Sequence, residues 1–192
     1  MGRPEARRPT VRSVYLRPWR IDIVAQPGVR SPLAFRALAR AAAEALTAAG
    51  APHPASLTLV LSDDANLAAL NAAHMGEDGP TDVLSFPLLP PSAFPAHVGK
   101  VPEAGHRPIE PTYKAPPRLR PNLGDIVISI ERAIAQAADG AGGQTGDVAW
   151  SAADELRLLV VHGVLHICGW DHADGTERDA MRALEGDVMR QQ

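Results

Sequence analysis

The sequence has 192 residues, of which 45% are hydrophobic, and its formal net charge is -3. A chain of this length can bury one core of ordinary size, and two full domains are not expected. The small net charge gives no overall electrostatic case for nucleic-acid binding, although arginines cluster near the start of the chain. Composition therefore leaves the class of partner open.

The sequence argues against disulfide bonds, a secretory signal and membrane-spanning segments. Cys168 is the only cysteine, so an internal disulfide is excluded, which fits a reducing compartment. The basic start of the chain is not followed by the apolar stretch of a secretory signal, and the sequence contains no run of about 18 apolar residues that could cross a bilayer. We therefore expect a cytoplasmic protein with no membrane contact.

In the first third of the chain, the sequence pattern predicts a tail, a strand and a helix. Residues 1–19 are basic and aperiodic, which is typical of a disordered or loosely attached tail, and residues 20–192 are expected to form a single domain. A strand is predicted at residues 21–24. A helix follows, with Ser31 as N-cap and Pro32 at the first helical position, because serine and proline favour those places.

Strands and helices then alternate. Strands are predicted at residues 56–62 and 81–88, with a short helix between them capped by Ser62. A proline-rich stretch at about 89–122 is interpreted as a surface excursion or a lid, since long structureless loops are uncommon inside compact domains. A strand at residues 123–130 and a helix follow it.

Two further helices end the chain. Residues 147–167 keep apolar positions at helical spacing and predict a long, largely buried helix that ends at Gly169. Thr176 and Asp179 have the spacing of a capping box at the start of the last helix. The whole pattern predicts an α/β (α+β) fold, in which a small mixed sheet of about four strands packs with about five helices.

The segment HGVLHICGWDH, residues 162–172, contains three of the seven histidines. His162 and His166 are four residues apart on the predicted helix, so they project from one face about one turn apart. Gly169 permits a backbone reversal that brings His172 back toward them. Three neutral imidazoles suit one zinc ion and leave a fourth position for water, as in catalytic zinc sites, although imidazole also suits other divalent transition metals.

The same spacing occurs in metzincin proteases, but one residue differs decisively. Those enzymes carry a glutamate directly after the first histidine as the general base, and here that position is Gly163. The catalytic group therefore stays unknown at this point. The reaction must take its proton acceptor from elsewhere or use a zinc-bound water, whose pKa a catalytic zinc lowers to about 7.

The histidine segment resembles the signature of the YbeY-type endoribonucleases, H-G-x-L-H-x-x-G-[YW]-D-H, at every fixed position. PTDVLSFP at residues 80–87, LGDIVIS at 123–129 and LAALN at 67–71 resemble further blocks of that family in the same order. The resemblance covers roughly residues 20–190 without the proline-rich excursion. It implies a zincin-like metal site at the end of a long buried helix.

The function implied by the resemblance is specific. Members are zinc-dependent, single-strand-specific endoribonucleases that take part in 16S rRNA 3′-end maturation and ribosome quality control. The implied partners are rRNA and the small ribosomal subunit, together with a ribosomal protein or an assembly GTPase, and neither DNA nor a membrane.

The resemblance also implies roles for individual residues. His162, His166 and His172 carry over as the metal ligands. Asp171 and Ser85 are candidate catalytic residues, and Asp171 is also a candidate for orienting an imidazole. Thr81, Asp82 and Ser85 are candidates for substrate contact on the strand that borders the cleft in zincin-like folds. Simpler structural roles, in a turn for Asp171 and at the sheet edge for the others, stay open.

One position departs from the family pattern. The family usually has an arginine before a glycine ahead of the PTDVLSFP block, where it is thought to contact RNA phosphate, and here the matching residue is Met75. An apolar side chain cannot hold phosphate as a guanidinium does. Arg107, Arg118 and Arg120 of the excursion are candidates to supply the missing charge.

Two other functions remain as alternatives. The first is a non-catalytic ribosome-assembly factor that the metal only stabilises, an interpretation that Met75 favours. The second is a metallopeptidase, which Gly163 argues against because the proteolytic base is missing.

Overall fold

The computed structural model describes residues 8–98, 120–139, 150–172 and 174–190. Its strands are β1 (Thr10–Leu16), β2 (Trp19–Ala25), β3 (Ala55–Ser62), β4 (Val83–Pro87) and β5 (Asn122–Ser129). Its helices are α1 (Phe35–Ala48), α2 (Asp64–His74), α3 (Ile130–Asp139), α4 (Ala152–Ile167) and α5 (Gly175–Arg190), and a 3₁₀ turn lies at Pro91–Ala93.

The strands form one mixed sheet in the order β1-β2-β3-β5-β4. The three inner strands, β2, β3 and β5, are parallel, and the edge strands β1 and β4 run antiparallel to their neighbours. The predicted α/β class is confirmed. The described residues contain five strands rather than the four expected, and the number of α-helices agrees with the prediction.

The additional strand is β1, so the expectation of a tail over residues 1–19 is wrong for residues 10–19. β1 pairs with β2 along its whole length, from Thr10 opposite Ala25 to Leu16 opposite Trp19. Val14 and Leu16 pack against the hydrophobic core. These alternating apolar residues and the paired backbone outweigh the basic composition that suggested disorder. Residues 1–7 lie outside the described part of the chain.

The sheet separates two hydrophobic clusters. The larger one contains the strand residues Ile21, Leu59 and Ile126 together with buried residues of α1 and α4. The smaller one, with Leu67, Leu84 and Val127, lies under α2. Successive strand residues point to opposite faces, so α2 covers one face of β5 and β4 while α4 packs on the other.

Two predicted helix starts are wrong by a few residues. Helix α1 begins at Phe35 with Ala34 as N-cap, because the Ser31 hydroxyl is engaged with the backbone of Leu33 in a local turn. Helix α2 is capped by Asp63, whose carboxylate accepts from the amide of Asn66. Ser62, the predicted cap, is the buried last residue of β3.

The two C-terminal helices are also capped by neighbours of the predicted residues. A capping box of Ser151 and Asp154 starts α4, so this helix begins later than residue 147. At α5 the Asp174 carboxylate accepts from the amides of Thr176 and Glu177, so Thr176 is not the cap. The excursion contains the 3₁₀ turn and ends at Asn122, the first residue of β5, and residues 99–119 lie outside the described ranges.

Candidate metal centre

Helix α4 brings two imidazoles together. His162 and His166 lie one turn apart, and their Nε2 atoms are 3.0 Å from each other. The helix packs tightly on the sheet at Gly163, where a Cβ atom would lie 2.7 Å from Cγ2 of Ile126. Any side chain at Gly163 would therefore force Ile126 to shift, so the packing disfavours a glutamate at this position.

The turn after α4 brings in the third imidazole. Gly169 has a φ of +86°, and the amides of Gly169 and Trp170 donate to the carbonyls of His166 and Leu165, a Schellman motif. The ring of His172 then lies 5.2 Å from that of His166. One nitrogen of each histidine lies within 4.8 Å of the others, so the predicted set of three is brought together.

The protonation of these rings fits a metal. Nδ1 of His162 lies 2.7 Å from Oε1 of the buried Glu185, so Nδ1 is engaged with the carboxylate and Nε2 is the nitrogen that faces His166. Burial, and then the neighbouring His162 and His172, lower the pKa of His166 to about 4. His166 is therefore neutral near pH 7, and the donor set suits a divalent transition ion such as zinc.

A second carboxylate holds the loop that carries the third imidazole. We call residues 168–172 the metal loop. Glu177 Oε1 accepts from the amide of Asp171 at 2.8 Å and lies 2.8 Å from Nε2 of His97. The His97 ring stacks on Trp170 with a centroid distance of 3.9 Å. The first part of the proline-rich stretch therefore contacts the metal loop.

Sequence reasoning missed Glu177, Glu185 and His97. The two glutamates lie on the buried stripe of α5, with Met181 between them and Val188 after them. Two acids on a core-facing helical stripe are a signal for buried partners, and this signal was readable. His97 has no comparable signal, because it is an isolated residue in a proline-rich segment.

Of the two candidate catalytic residues, Asp171 precedes the third histidine and Ser85 contacts the residue that follows the first. Asp171 is exposed, and its Oδ1 accepts from the amide of His172 at 2.7 Å, so it holds the backbone of a ligand. Ser85 donates its hydroxyl proton to the carbonyl of Gly163 at 3.0 Å. That contact fixes β4 to α4 beside His162.

Thr81 and Asp82 lie farther along the same edge, toward the start of α4. Asp82 accepts from Gln136 Nε2 at 3.0 Å and from the amide of Val83 at 2.8 Å, and Thr81 donates to it. The charge of Asp82 also adds to burial in raising the pKa of Glu155. These contacts join β4 to α3, so the two residues are not brought to the histidines.

Of the three excursion arginines, Arg120 lies within the described residues, and it makes a hydrogen bond away from the histidines. Arg120 donates from Nη1 to the carbonyl of Pro18 in the turn between β1 and β2. Arg107 and Arg118 lie outside the described residues. Met75, where the resemblance led us to expect an arginine, is the C-cap of α2 and has 50% of its surface exposed.

This chain is similar to known proteins over most of its length. The family model described as endoribonuclease YbeY matches residues 28–192. A protein named endoribonuclease YbeY from Parvibaculum lavamentivorans is 34% identical over 88% of this chain and 79% of its own length. Those of Roseiflexus castenholzii and Salinispora tropica are 32% and 40% identical, covering 88% and 77% of this chain and 90% and 81% of their own lengths.

A solved structure and the helix lengths complete the comparison. The solution structure of TM1509 from Thermotoga maritima has a TM-score of 0.48 and 19% identity, covering 89% of this chain and 90% of that chain. Within the described ranges, no helix is both long and apolar enough to span a bilayer. The match to the family model and the identities with the relatives, which extend well beyond the histidine segment, show that this chain belongs to the endoribonuclease YbeY family.

Proposed function

We propose that this protein is a zinc-dependent endoribonuclease that cuts single-stranded RNA, with His162, His166 and His172 holding one zinc ion. The observation that carries the proposal is the convergence of three imidazole nitrogens within 4.8 Å in a chain of the endoribonuclease YbeY family. Another divalent transition metal in the same site would leave the argument unchanged, because the ligand set is the same.

The chain's own residues prepare the site in three ways. Glu185 engages Nδ1 of His162 and thereby orients the ring with Nε2 toward His166, and burial keeps His166 neutral. The Schellman turn at Gly169 and the carboxylate of Glu177 fix the loop that carries His172. When bound, the metal would supply Lewis-acid stabilisation of charge on the phosphate and activation of a nucleophile.

We assign the proton acceptor to Asp171. Its carboxylate is exposed beside a ligand, and one oxygen is used by the amide of His172. Glu185 is unsuited to this role because it is buried against His162. Ser85 is likewise unsuited, because its hydroxyl is engaged with the carbonyl of Gly163. Thr81 and Asp82 are proposed to contact substrate only beyond the reacting phosphate.

The proposal for the RNA substrate and the cellular process is based on membership of the endoribonuclease YbeY family. We propose that the substrate is the 3′ end of 16S rRNA in the small ribosomal subunit, that the cut belongs to rRNA maturation and ribosome quality control, and that the protein acts in the cytoplasm. A ribosomal protein or an assembly GTPase would then be the protein partner. Sequencing of the 16S 3′ ends in cells whose only copy carries His166→Ala tests this role, since unprocessed ends should accumulate.

The activity is tested with purified protein and a single-stranded RNA. We expect His166→Ala to lose cleavage and metal together. His53→Ala is the matched control, because His53 is an exposed histidine that contacts Trp19 rather than the site. Equal cleavage by wild type and His166→Ala would contradict the proposal.

One observation favours the non-catalytic alternative. Met75 is exposed where the family usually presents an arginine to phosphate, so a metal-stabilised assembly factor would explain its presence. In that case the metal-loaded protein would bind rRNA without cutting it, and removing the metal would unfold it. The metallopeptidase alternative finds no support, because the proteolytic glutamate is missing at Gly163 and the close packing against Ile126 disfavours a side chain there.

A further inference from the structure

A cleft of about 340 Å³ opens beside two of the three histidines. Its lining consists of His162 and His172 together with four residues of α5: Arg178, Met181, Arg182 and Glu185. Arg178 and Arg182 are four residues apart, so they lie on the same face of α5 one turn from each other. The wall of the cleft that α5 forms therefore combines two exposed arginines with two residues of the buried stripe.

The two arginines are available to a ligand. Both are exposed, and among the described residues no carboxylate oxygen lies within ion-pair distance of Arg182. Arg178 has one such neighbour, Asp179, at 3.7 Å, in a pair whose side chains are 49% and 75% exposed. An exposed pair of this kind contributes little and is readily exchanged for a better partner.

The acid in the cleft does not cancel this charge. The Glu185 side chain is only 7% exposed and lies against Nδ1 of His162. Its carboxylate is therefore already engaged with an imidazole. Two guanidinium groups next to a metal site make the outer part of the cleft attractive to anions, and guanidinium is the side chain that best matches the fork geometry of phosphate.

We propose that Arg178 and Arg182 bind the RNA backbone phosphates that flank the cleaved linkage. The inference rests on the proposed endoribonuclease function and adds the residues that hold its substrate. The scissile phosphate then lies at the histidines, with the adjoining backbone along α5.

The test compares wild type with Arg178→Gln/Arg182→Gln. The matched control is Arg36→Gln/Arg40→Gln, since those residues are exposed arginines with the same spacing on α1 and neither lines the cleft. For each protein we would measure metal per chain, the Kd of a fluorescent single-stranded RNA at several salt concentrations, and KM and kcat for its cleavage.

The α5 double variant should keep its metal and its kcat while Kd and KM rise roughly tenfold or more, since hydrogen bonds to charged groups carry at least that much. The dependence of log Kd on log salt should fall by about 1.4, which corresponds to two phosphate contacts on a single strand. The Arg36/Arg40 variant should behave as wild type. Equal Kd, KM and salt dependence in the two double variants would overturn the proposal.

The two proposals fail in different ways. If wild type binds RNA without cutting it, and the α5 variant binds about tenfold less tightly, the two arginines bind RNA phosphate as proposed and the nuclease proposal falls. If wild type cuts RNA and the α5 variant binds and cuts it equally well, only the arginine proposal falls. If wild type neither binds nor cuts single-stranded RNA, both fall.

Discussion

Gly163 and Gly169 flank the second histidine of the motif and serve different purposes. At Gly163 the requirement is space, because a Cβ would collide with Ile126. At Gly169 the requirement is conformation, because φ is +86° in the turn that ends α4. The absence of a base at Gly163 was readable from the sequence. The collision was not, because it depends on how closely α4 approaches β5.

Replacing Gly169 tests the turn that presents His172. Gly169→Ala should destabilise the protein by about 1–2 kcal/mol, the usual penalty for a residue with a Cβ in the left-handed region. It should also weaken metal binding, because the loop can relax away from His166. Chemical denaturation and metal titration measure the two effects. Gly175→Ala is the control, since φ is not positive there, and equal losses in both variants would contradict this role.

Replacing Glu185 tests how His162 is held. Glu185→Gln removes the carboxylate that accepts from Nδ1, and metal affinity should fall roughly 10–100-fold, as for other partners that orient a ligand histidine. Competition with a chromophoric chelator gives the affinity. Asp187→Asn, on the exposed side of the same helix, should leave it unchanged. An unchanged affinity in Glu185→Gln would show that the contact has no influence on the metal.

At the scale of elements, hydrophobic periodicity predicted most helices and strands. It failed where contacts with residues distant in the sequence determine whether an element forms or where it begins. Strand β1 was missed because its stability comes from pairing with β2 and from Val14 and Leu16 on the core. Helix starts shifted by a few residues because several serines, aspartates and threonines compete for each cap, and local turns select among them. Such selection depends on three-dimensional contacts.

The contact between the excursion and the metal loop leads to a prediction for His97. His97→Ala removes both the stacking on Trp170 and the pairing with Glu177. The metal loop should then open more readily, and the rate of metal loss to a chelator should rise roughly tenfold. His53→Ala serves as the control. An unchanged rate would mean that Glu177 holds the loop without help from the excursion.

Glu155, near the start of α4, predicts a pH dependence. Burial raises the pKa of this carboxyl, and the charge of Asp82 acts in the same direction, while the hydrogen bond from Trp150 opposes them. The pKa of Glu155 is therefore higher in the folded protein than in the unfolded chain, where it is 4.5. Its contribution to the free energy of unfolding is fully present below pH 4.5 and is lost as the pH rises through the folded-state pKa.

The variant Glu155→Gln keeps an acceptor for Trp150 and does not titrate. Its melting temperature should therefore rise relative to wild type between pH 4 and pH 8. Glu131→Gln is the control, because Glu131 is exposed. A melting-temperature difference that stayed constant or shrank over this range would contradict the assignment.

For the whole molecule, the three metal ligands were predictable from the sequence. The residues that hold these ligands in place were not. Three histidines, a helix and a glycine turn are local in sequence, so spacing alone defined them. Glu185, Glu177 and His97 reach the site from other parts of the chain. Asp82 shows the opposite case, since it lies on the predicted strand edge yet at the other end of α4.

The fold has a core that does not depend on the metal. The main cluster joins three inner strands to α1 and α4, and the histidines lie at its margin, with His172 exposed. We therefore expect the metal-free protein to remain folded, unlike small domains that fold only when a metal binds.

Metal removal followed by RNA cleavage tests the central claim most directly. The purified protein should contain about one zinc per chain, lose cleavage of single-stranded RNA on chelation while its far-UV and near-UV circular dichroism are retained, and recover cleavage when one equivalent of zinc is added. Undiminished cleavage by the fully chelated, folded protein would contradict the account.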